Sequence, residues 1–318
     1  MLFRLFAAPV AVLLTLAALP AAAAPSLLEV DQRLAAIAWR LTTANVALCR
    51  ERQPVIGATL HAADQYPPAL RDAFPTPVAV ELVVPGTPAA TAGVAANDGV
   101  VAIDGRALPA PAAGDALTSA TRDAAQARIA ARAPDAPLPL TLRRDGADRQ
   151  VTVHPRAGCR VEFEVLTGGK LGASSDGRVV QVGGALFTRF GDDQIAVVVA
   201  HELAHAILRH RVRLEAAGVK WGLLSEFGRN ARLFRHTETE ADLLGAYLLR
   251  NAGWDPQLAV TFWREYGSRI DGGMFHSRTH PSSKDRANAI AAELATMPPN
   301  APLPYLPPLL EQRDAPLR

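Results

Sequence analysis

The chain has 318 residues, of which 49% are hydrophobic and 20% charged, with a formal net charge of +2. This composition excludes a wholly disordered polypeptide, and the length favours more than one core. So small a charge sets up no field toward nucleic acid, and two cysteines allow one bridge but no disulfide scaffold or all-cysteine metal site.

Residues 1–24 read as an export signal. Arg4 gives the positive start, Leu5 to Leu19 the apolar run, and Ala21 to Ala24 the small residues of a cleavage site, with the cut expected before Ala24. The alternative is an uncleaved membrane anchor, but a span needs about 20 strongly apolar residues and the alanine end is weak. No later run is long and apolar enough to span a bilayer. The mature chain is therefore expected to be periplasmic or secreted, without a transmembrane segment. In such a compartment a bridge between Cys49 and Cys159 is expected, with two separate buried thiols as the alternative.

Residues 25–76 read as an N-terminal helix and a linker. Leu28, Leu34, Ile37, Ala38 and Leu41 have helical spacing within Leu27 to Cys49, and Arg50 to Pro77 is read as irregular because of Pro54, Pro67, Pro68, Pro75 and Pro77. Residues 77–156 read as a β-rich unit. Strands are expected over Val78 to Val83 and Gly99 to Ile103, a short helix over Ala89 to Ala92 stopped by Gly93, and a helix over Ala113 to Arg132. A hairpin is expected to join Leu138–Leu142 and Gln150–Val153 around Asp145-Gly146. The stretch Pro85 to Gly105 resembles the PDZ domains of bacterial proteases, in which a small-residue helix precedes a strand ending in an Asn-Gly or Asp-Gly turn. Asn97 stands where that pattern usually has glycine. The resemblance implies peptide binding, although no clear carboxylate-binding loop is visible.

Residues 157–298 are read as a third region with strands at Val161–Leu166 and Arg178–Val182. Helices are expected over Asp193–Arg213, Glu238–Asn251, Pro256–Tyr266 and Pro281–Met297. Residues 299–318 are a proline-rich tail, expected to be extended.

The chemistry concentrates in Ala196 to Leu208, AVVVAHELAHAIL. This helix is apolar on all faces, yet His201, Glu202 and His205 interrupt it. Buried ionisable groups need a partner, and a metal ion supplies one. Four helical residues turn about 400° and rise about 6 Å, so the two histidines share a face and can bind one Zn2+. Glu202, next to His201, can take a proton from the attacking water. The plainer alternative is a pair of satisfied core histidines. A third ligand is expected to be a carboxylate on a later helix, and Glu238-Thr239-Glu240-Ala241-Asp242 is read as opening one.

Together these segments resemble metallopeptidase family forty-eight, which includes the CAAX prenyl proteases, the HtpX stress protease and exported bacterial proteases. The matching residues are His201-Glu202-Leu203-Ala204-His205, then Glu238-x-Glu240-Ala241-Asp242-x-x-Gly245, then Thr279-His280-Pro281-Ser282 with Arg286. The resemblance implies that Glu238 is the third zinc ligand and that Asp242 orients a ligand histidine. It places His280 near the metal, as an occasional ligand or as a hydrogen-bond donor to the oxyanion, and makes Arg286 a support. Glu240 is read as a solvated or helix-terminal charge, and His210, His236 and His276 as surface residues. Gly172-Ala173 stands where the family often has Asn-Ala before the edge strand, here taken as Val179 to Val182.

The expected fold is α+β: a mainly helical zincin-type (HExxH) peptidase domain with a small edge-strand sheet, preceded by a β-rich PDZ-like domain. The expected function is a zinc-dependent endopeptidase acting on extended or misfolded exported proteins. The alternative is a PDZ-based binding or chaperone-like module with a latent or structural zinc site. Glu202 argues against it, because a structural site needs no adjacent base.

Overall fold

A computed structural model describes residues 24–110, 114–169, 171–219, 227–270 and 280–317. Almost all of the export signal lies outside these residues, as do His276 and Thr279. Among the described residues no helix is long and apolar enough to cross a membrane.

Helix α1 (Leu27–Ala44) starts at a capping box: Ser26 Oγ accepts from Glu29 N, and the Glu29 carboxylate accepts from Ser26 N at 2.6 Å. Its stripe of Val30, Leu34, Ile37, Ala38 and Leu41 is buried. The segment read as an irregular linker instead contains strands β1 (Arg52–Val55) and β2 (Ala58–Ala62) and the short helix α2 (Pro68–Arg71). Strand β1 pairs antiparallel with β8 (Arg156–Cys159), Arg52 opposite Cys159 and Val55 opposite Arg156. This ribbon carries the chain into and out of the intervening sheet, and Pro54 is tolerated because the ribbon has only two strands. Cys49 and Cys159 form a disulfide beside it, Cα atoms 5.4 Å apart across 110 residues. Closing so long a loop contributes about 4–5 kcal/mol in the chain-entropy account.

Between the ribbon strands lies an antiparallel sheet that also includes β3 (Val78–Val83), β4 (Gly99–Ile103), β5 (Arg106–Ala107), β6 (Leu138–Arg144) and β7 (Ala147–Val153). Its order is β2-β3-β4-β6-β7, with β5 paired to β4. Since β2 joins this sheet, the sheet begins at Ala58. Helices α3 (Pro88–Thr91) and α4 (Ala120–Ala130) accompany it. The two hairpins turn on Asp104-Gly105 and Asp145-Gly146, all four residues at positive φ, the conformation that two-residue hairpins demand. Asn97 also adopts a positive φ of 65°, which asparagine tolerates better than other side chains and which explains its place in a glycine position. Val78, Val80, Ile103, Leu138, Leu142 and Val153 pack with Ala125 of α4 as this sheet's core.

The second core gathers α1 with the remaining elements. Strands β9 (Glu162–Leu166), β10 (Ala173–Ser175) and β11 (Val179–Gly183) form a sheet in the order β10-β11-β9. The strand expected at the edge, Val179 to Val182, is therefore central, and β10 pairs antiparallel along its outer side. After α5 (Gly184–Phe187), the long helix expected over Asp193–Arg213 is two helices, α6 (Asp192–Ile207) and α7 (His210–Ala216). The break falls at Arg209, whose φ of 54° is left-handed. Helix α8 (Gly228–Asn251) starts well before Glu238, so Glu238 and Glu240 lie in mid-helix rather than at a terminus. Helices α9 (Gln257–Glu265), α10 (Gly267–Ile270) and α11 (Ser283–Thr296) complete the bundle. Helix α11 is capped by Ser282, whose Oγ accepts from Asp285 N, so Pro281 precedes the helix instead of opening it.

The tail is not a loose extension. Pro308–Asp314 forms a 3₁₀ turn, Arg250 Nη2 donates to Ala301 O at 2.8 Å, Arg213 Nε donates to Ala315 O at 3.0 Å, and Leu317 is buried with Leu214, Val219 and Leu233. Its prolines prevent a long helix but leave these carbonyls able to accept hydrogen bonds.

Candidate metal centre

Helix α6 carries His201 and His205 one turn apart, and α8 crosses it closely enough to present Glu238 to both. Gly245 permits the crossing: a Cβ there would stand 3.3 Å from His201 N and 3.4 Å from its Cα. The Nε2 atoms of His201 and His205 are 3.1 Å apart. Glu238 places Oε2 at 3.3 Å from His201 Nε2 and Oε1 at 3.5 Å from His205 Nε2. Atoms bonded to one tetrahedral ion at about 2.0–2.1 Å stand about 3.3–3.4 Å apart, so this donor set fits a zinc-sized ion. Among the described residues, this is the His/Cys/Asp/Glu group that could hold a metal.

Each histidine is held from behind. His201 Nδ1 donates to Asp242 Oδ1 at 3.0 Å, one helical turn beyond Glu238. Asp242 also accepts from Arg286 Nε at 2.6 Å and Nη2 at 2.7 Å, and the Arg286 guanidinium lies 3.4 Å from the centre of the Trp263 ring. Burial opposes ionisation of Asp242, but Arg286 and His201 outweigh it and hold the carboxyl below its ordinary range. On the other side, His205 Nδ1 lies 2.9 Å from His210 Nδ1, and His210 Nε2 lies 3.1 Å from Glu240 Oε2. Arg213 donates to both Glu240 oxygens, at 2.7 and 3.3 Å. His210 and Glu240 are thus not surface groups: they are 2% and 4% exposed. On an unbroken helix His210 would lie about 140° around from His205; the break at Arg209 accompanies its return toward the centre. His236 is half-exposed, 3.3 Å from Glu240 Oε1.

The charge balance favours ligation. Burial pushes the Glu238 carboxyl up, but His205, His201 and His280 more than offset this and hold it well below the ordinary range. Burial works against charge on His201, yet hydrogen bonds to Asp242 and Glu238 raise it to about 10. Burial keeps His205 and His210 low, hence neutral near pH 7. Glu202, beside His201 and 8% exposed, is raised to about 7, first by burial and then by Glu238, against His201 and Arg286. A carboxyl held beside the histidines in this way is placed for general-base chemistry. His280 is 47% exposed at the side chain, with Nε2 3.6 Å from Glu238 Oε2.

The structure therefore brings together His201, His205, Glu238, Asp242, Arg286 and His280, with Glu202 alongside. His210, Glu240, Arg213 and Trp263 join the site without a motif to announce them. Little in the sequence marks them: α7 reads HRVRLEA and the first half of α8 is rich in arginine, so their charged residues look like an ordinary solvated face.

Residues 171–294 match the sequence profile of Peptidase family M48. Two proteins named mitochondrial metalloendopeptidase OMA1 are similar to the chain. The Schizosaccharomyces pombe protein is 31% identical over 36% of this chain and 40% of its own length; the Arabidopsis thaliana protein is 30% identical over 36% and 27%. The chain thus matches less than half of either relative. Among solved structures, the HtrA3 PDZ domain bound to a phage-derived ligand is 21% identical, covering 34% of this chain and 88% of that one, at a TM-score of 0.25. The HtrA-type protease AlgW with a decapeptide is 16% identical, covering 33% and 30%, also at 0.25. His201, His205 and Glu238 accordingly lie within the stretch of this chain that is similar to Peptidase family M48.

Proposed function

We propose that the chain is a zinc-dependent endopeptidase that hydrolyses extended or misfolded exported proteins. The observation that carries this reading is the convergence of two imidazole Nε2 atoms and the Glu238 carboxylate next to buried Glu202. When bound, the ion supplies a Lewis acid that polarises the scissile carbonyl and acidifies the attacking water. Glu202 takes the proton from that water and returns it to the leaving amine. Asp242, fixed by Arg286, keeps the His201 proton on Nδ1 and its Nε2 turned to the ion. His280 donates a hydrogen bond to the oxyanion, and His280→Ala lowers kcat by about 10²–10³ without loss of zinc. A raised kcat would instead make His280 a resting ligand.

An extended substrate pairs with β10, the outer strand of the small sheet, which packs beside α6. The sheet from Ala58 to Val153 is a PDZ-like unit that captures peptide. Export is supported by the signal-like residues 1–24 and by the disulfide, which suits an oxidising compartment. The test is zinc content beside casein hydrolysis. The wild-type chain carries one zinc and cleaves casein, and His201→Ala, His205→Ala and Glu238→Gln each lose both. A zinc-loaded His205→Ala chain with full activity would remove His205 from the site.

A further inference from the structure

The two histidines of the centre are held by different devices. His201 meets a carboxylate directly, through Asp242. His205 reaches one only through a second imidazole: His205 Nδ1, His210 Nδ1 at 2.9 Å, then His210 Nε2 and Glu240 Oε2 at 3.1 Å. We propose that His210 and Glu240 are positioning residues that fix the tautomer of His205 and so aim its Nε2 at the metal. This rests on the reading of His201, His205 and Glu238 as metal ligands.

The chemistry leaves one arrangement of protons. Glu240 faces Arg213 and accepts at both oxygens, so the Glu240–His210 contact requires a proton on His210 Nε2. If His210 Nδ1 also carried a proton, the 2.9 Å contact would require a lone pair on His205 Nδ1. The His205 proton would then sit on Nε2 and block ligation. With His210 Nδ1 as acceptor, His205 Nδ1 donates and Nε2 is left with its lone pair toward Glu238 and His201. One ionised carboxylate therefore orders two imidazoles in series. The scaffold around the relay is rigid. His210, Glu240 and Arg213 are all buried, and Arg213 Nε is tied to Ala315 O of the tail. The left-handed Arg209 ends α6 so that α7 begins on His210 itself.

The experiment compares His210→Leu with His210→Asn, both as the full chain. The amide oxygen of asparagine can take the place of Nδ1 and accept from His205; leucine cannot. Zinc affinity is read by competition with a chromophoric chelator, and thermal unfolding of the metal-free chains checks the fold. The expected result is about 10–100-fold weaker zinc binding in His210→Leu, with most of the loss recovered in His210→Asn. Equal affinity of His210→Leu and wild type, or no recovery with asparagine, overturns the proposal. Should leucine prevent folding, imidazole ¹⁵N shifts of the zinc-loaded wild-type chain decide. They are expected to place the His205 proton on Nδ1 and the His210 proton on Nε2, and a proton on His210 Nδ1 refutes the relay. A wild-type chain that binds no zinc defeats the metal reading itself, whereas tight binding unaffected at His210 defeats only the relay.

Discussion

Gly245 of α8 lies against the backbone of His201 on α6, with room for no Cβ beyond 3.3 Å from His201 N. The last residue of the second motif is thus the contact that lets the helices carrying His201, His205 and Glu238 approach. The neighbour is helical backbone, which cannot swing aside as a side chain would. Gly245→Ala is expected to push the helices apart by a few tenths of an ångström, and Gly245→Val by more. Overpacking of this kind costs about 1–3 kcal/mol. Denaturant unfolding and zinc titration should show lower stability and weaker binding, in the order Gly, Ala, Val. A valine variant as stable and as tight as wild type would contradict the role given to this crossing.

Asp242 serves two buried neighbours at once, accepting from His201 Nδ1 and from Arg286 Nε and Nη2. Asp242→Ala breaks a buried ion pair, for which about 3–5 kcal/mol is expected. Asp242→Asn keeps the shape and one acceptor, and should cost less. Chemical denaturation of the metal-free chains measures both. The ordering Ala worse than Asn is required; equal losses would mean that charge, not hydrogen-bond geometry, sets the cost.

Stability should also depend on pH through Glu81 of β3 and Asp31 of α1. Burial raises Glu81 to about 7, helped by Asp31 and opposed by Thr59 and Arg122. Burial raises Asp31 to about 6. A carboxyl whose folded pKa lies above its unfolded one, about 4.3 for glutamate, holds a proton in the folded state that the unfolded chain has given up. Its contribution is therefore intact below about 4.3, falls as pH rises, and is lost above the folded value near 7. Glu81→Gln should be more stable than wild type at pH 8 by about 1–2 kcal/mol, reduced from the full shift because Glu81 is only partly buried. The gain should vanish by pH 4. Urea midpoints at the two pH values check this, and a gain independent of pH would refute it.

Much of the centre was legible because helical period alone puts His201 and His205 on one face, and the hairpins because Asp-Gly supplies the positive φ they need. Glu238 stands out through its motif, but the first turns of α8 do not, because Arg229, Arg232 and Arg235 hide the periodicity of Ala231 and Leu233. The break at Arg209 left no mark, since Leu208-Arg209-His210 contains neither glycine nor proline. Continuous helical periodicity therefore turns His210 away from His205 and leaves Glu240 without a visible partner in the sequence. Strands β1 and β2 were hidden by proline punctuation, which a two-stranded ribbon accommodates at Pro54. The buried tail was missed because its anchors are backbone carbonyls, which every residue carries.

The central claim is that Glu202 is the base of a zinc peptidase, and the most direct measurement is casein turnover by Glu202→Gln with zinc content determined on the same sample. Glutamine keeps the size of the side chain and removes the carboxylate, while His201, His205 and Glu238 are untouched. The account predicts a chain that holds its zinc, unfolds at a temperature close to wild type, and has lost its proteolysis. A zinc-loaded Glu202→Gln chain that cleaves casein at the wild-type rate would contradict it.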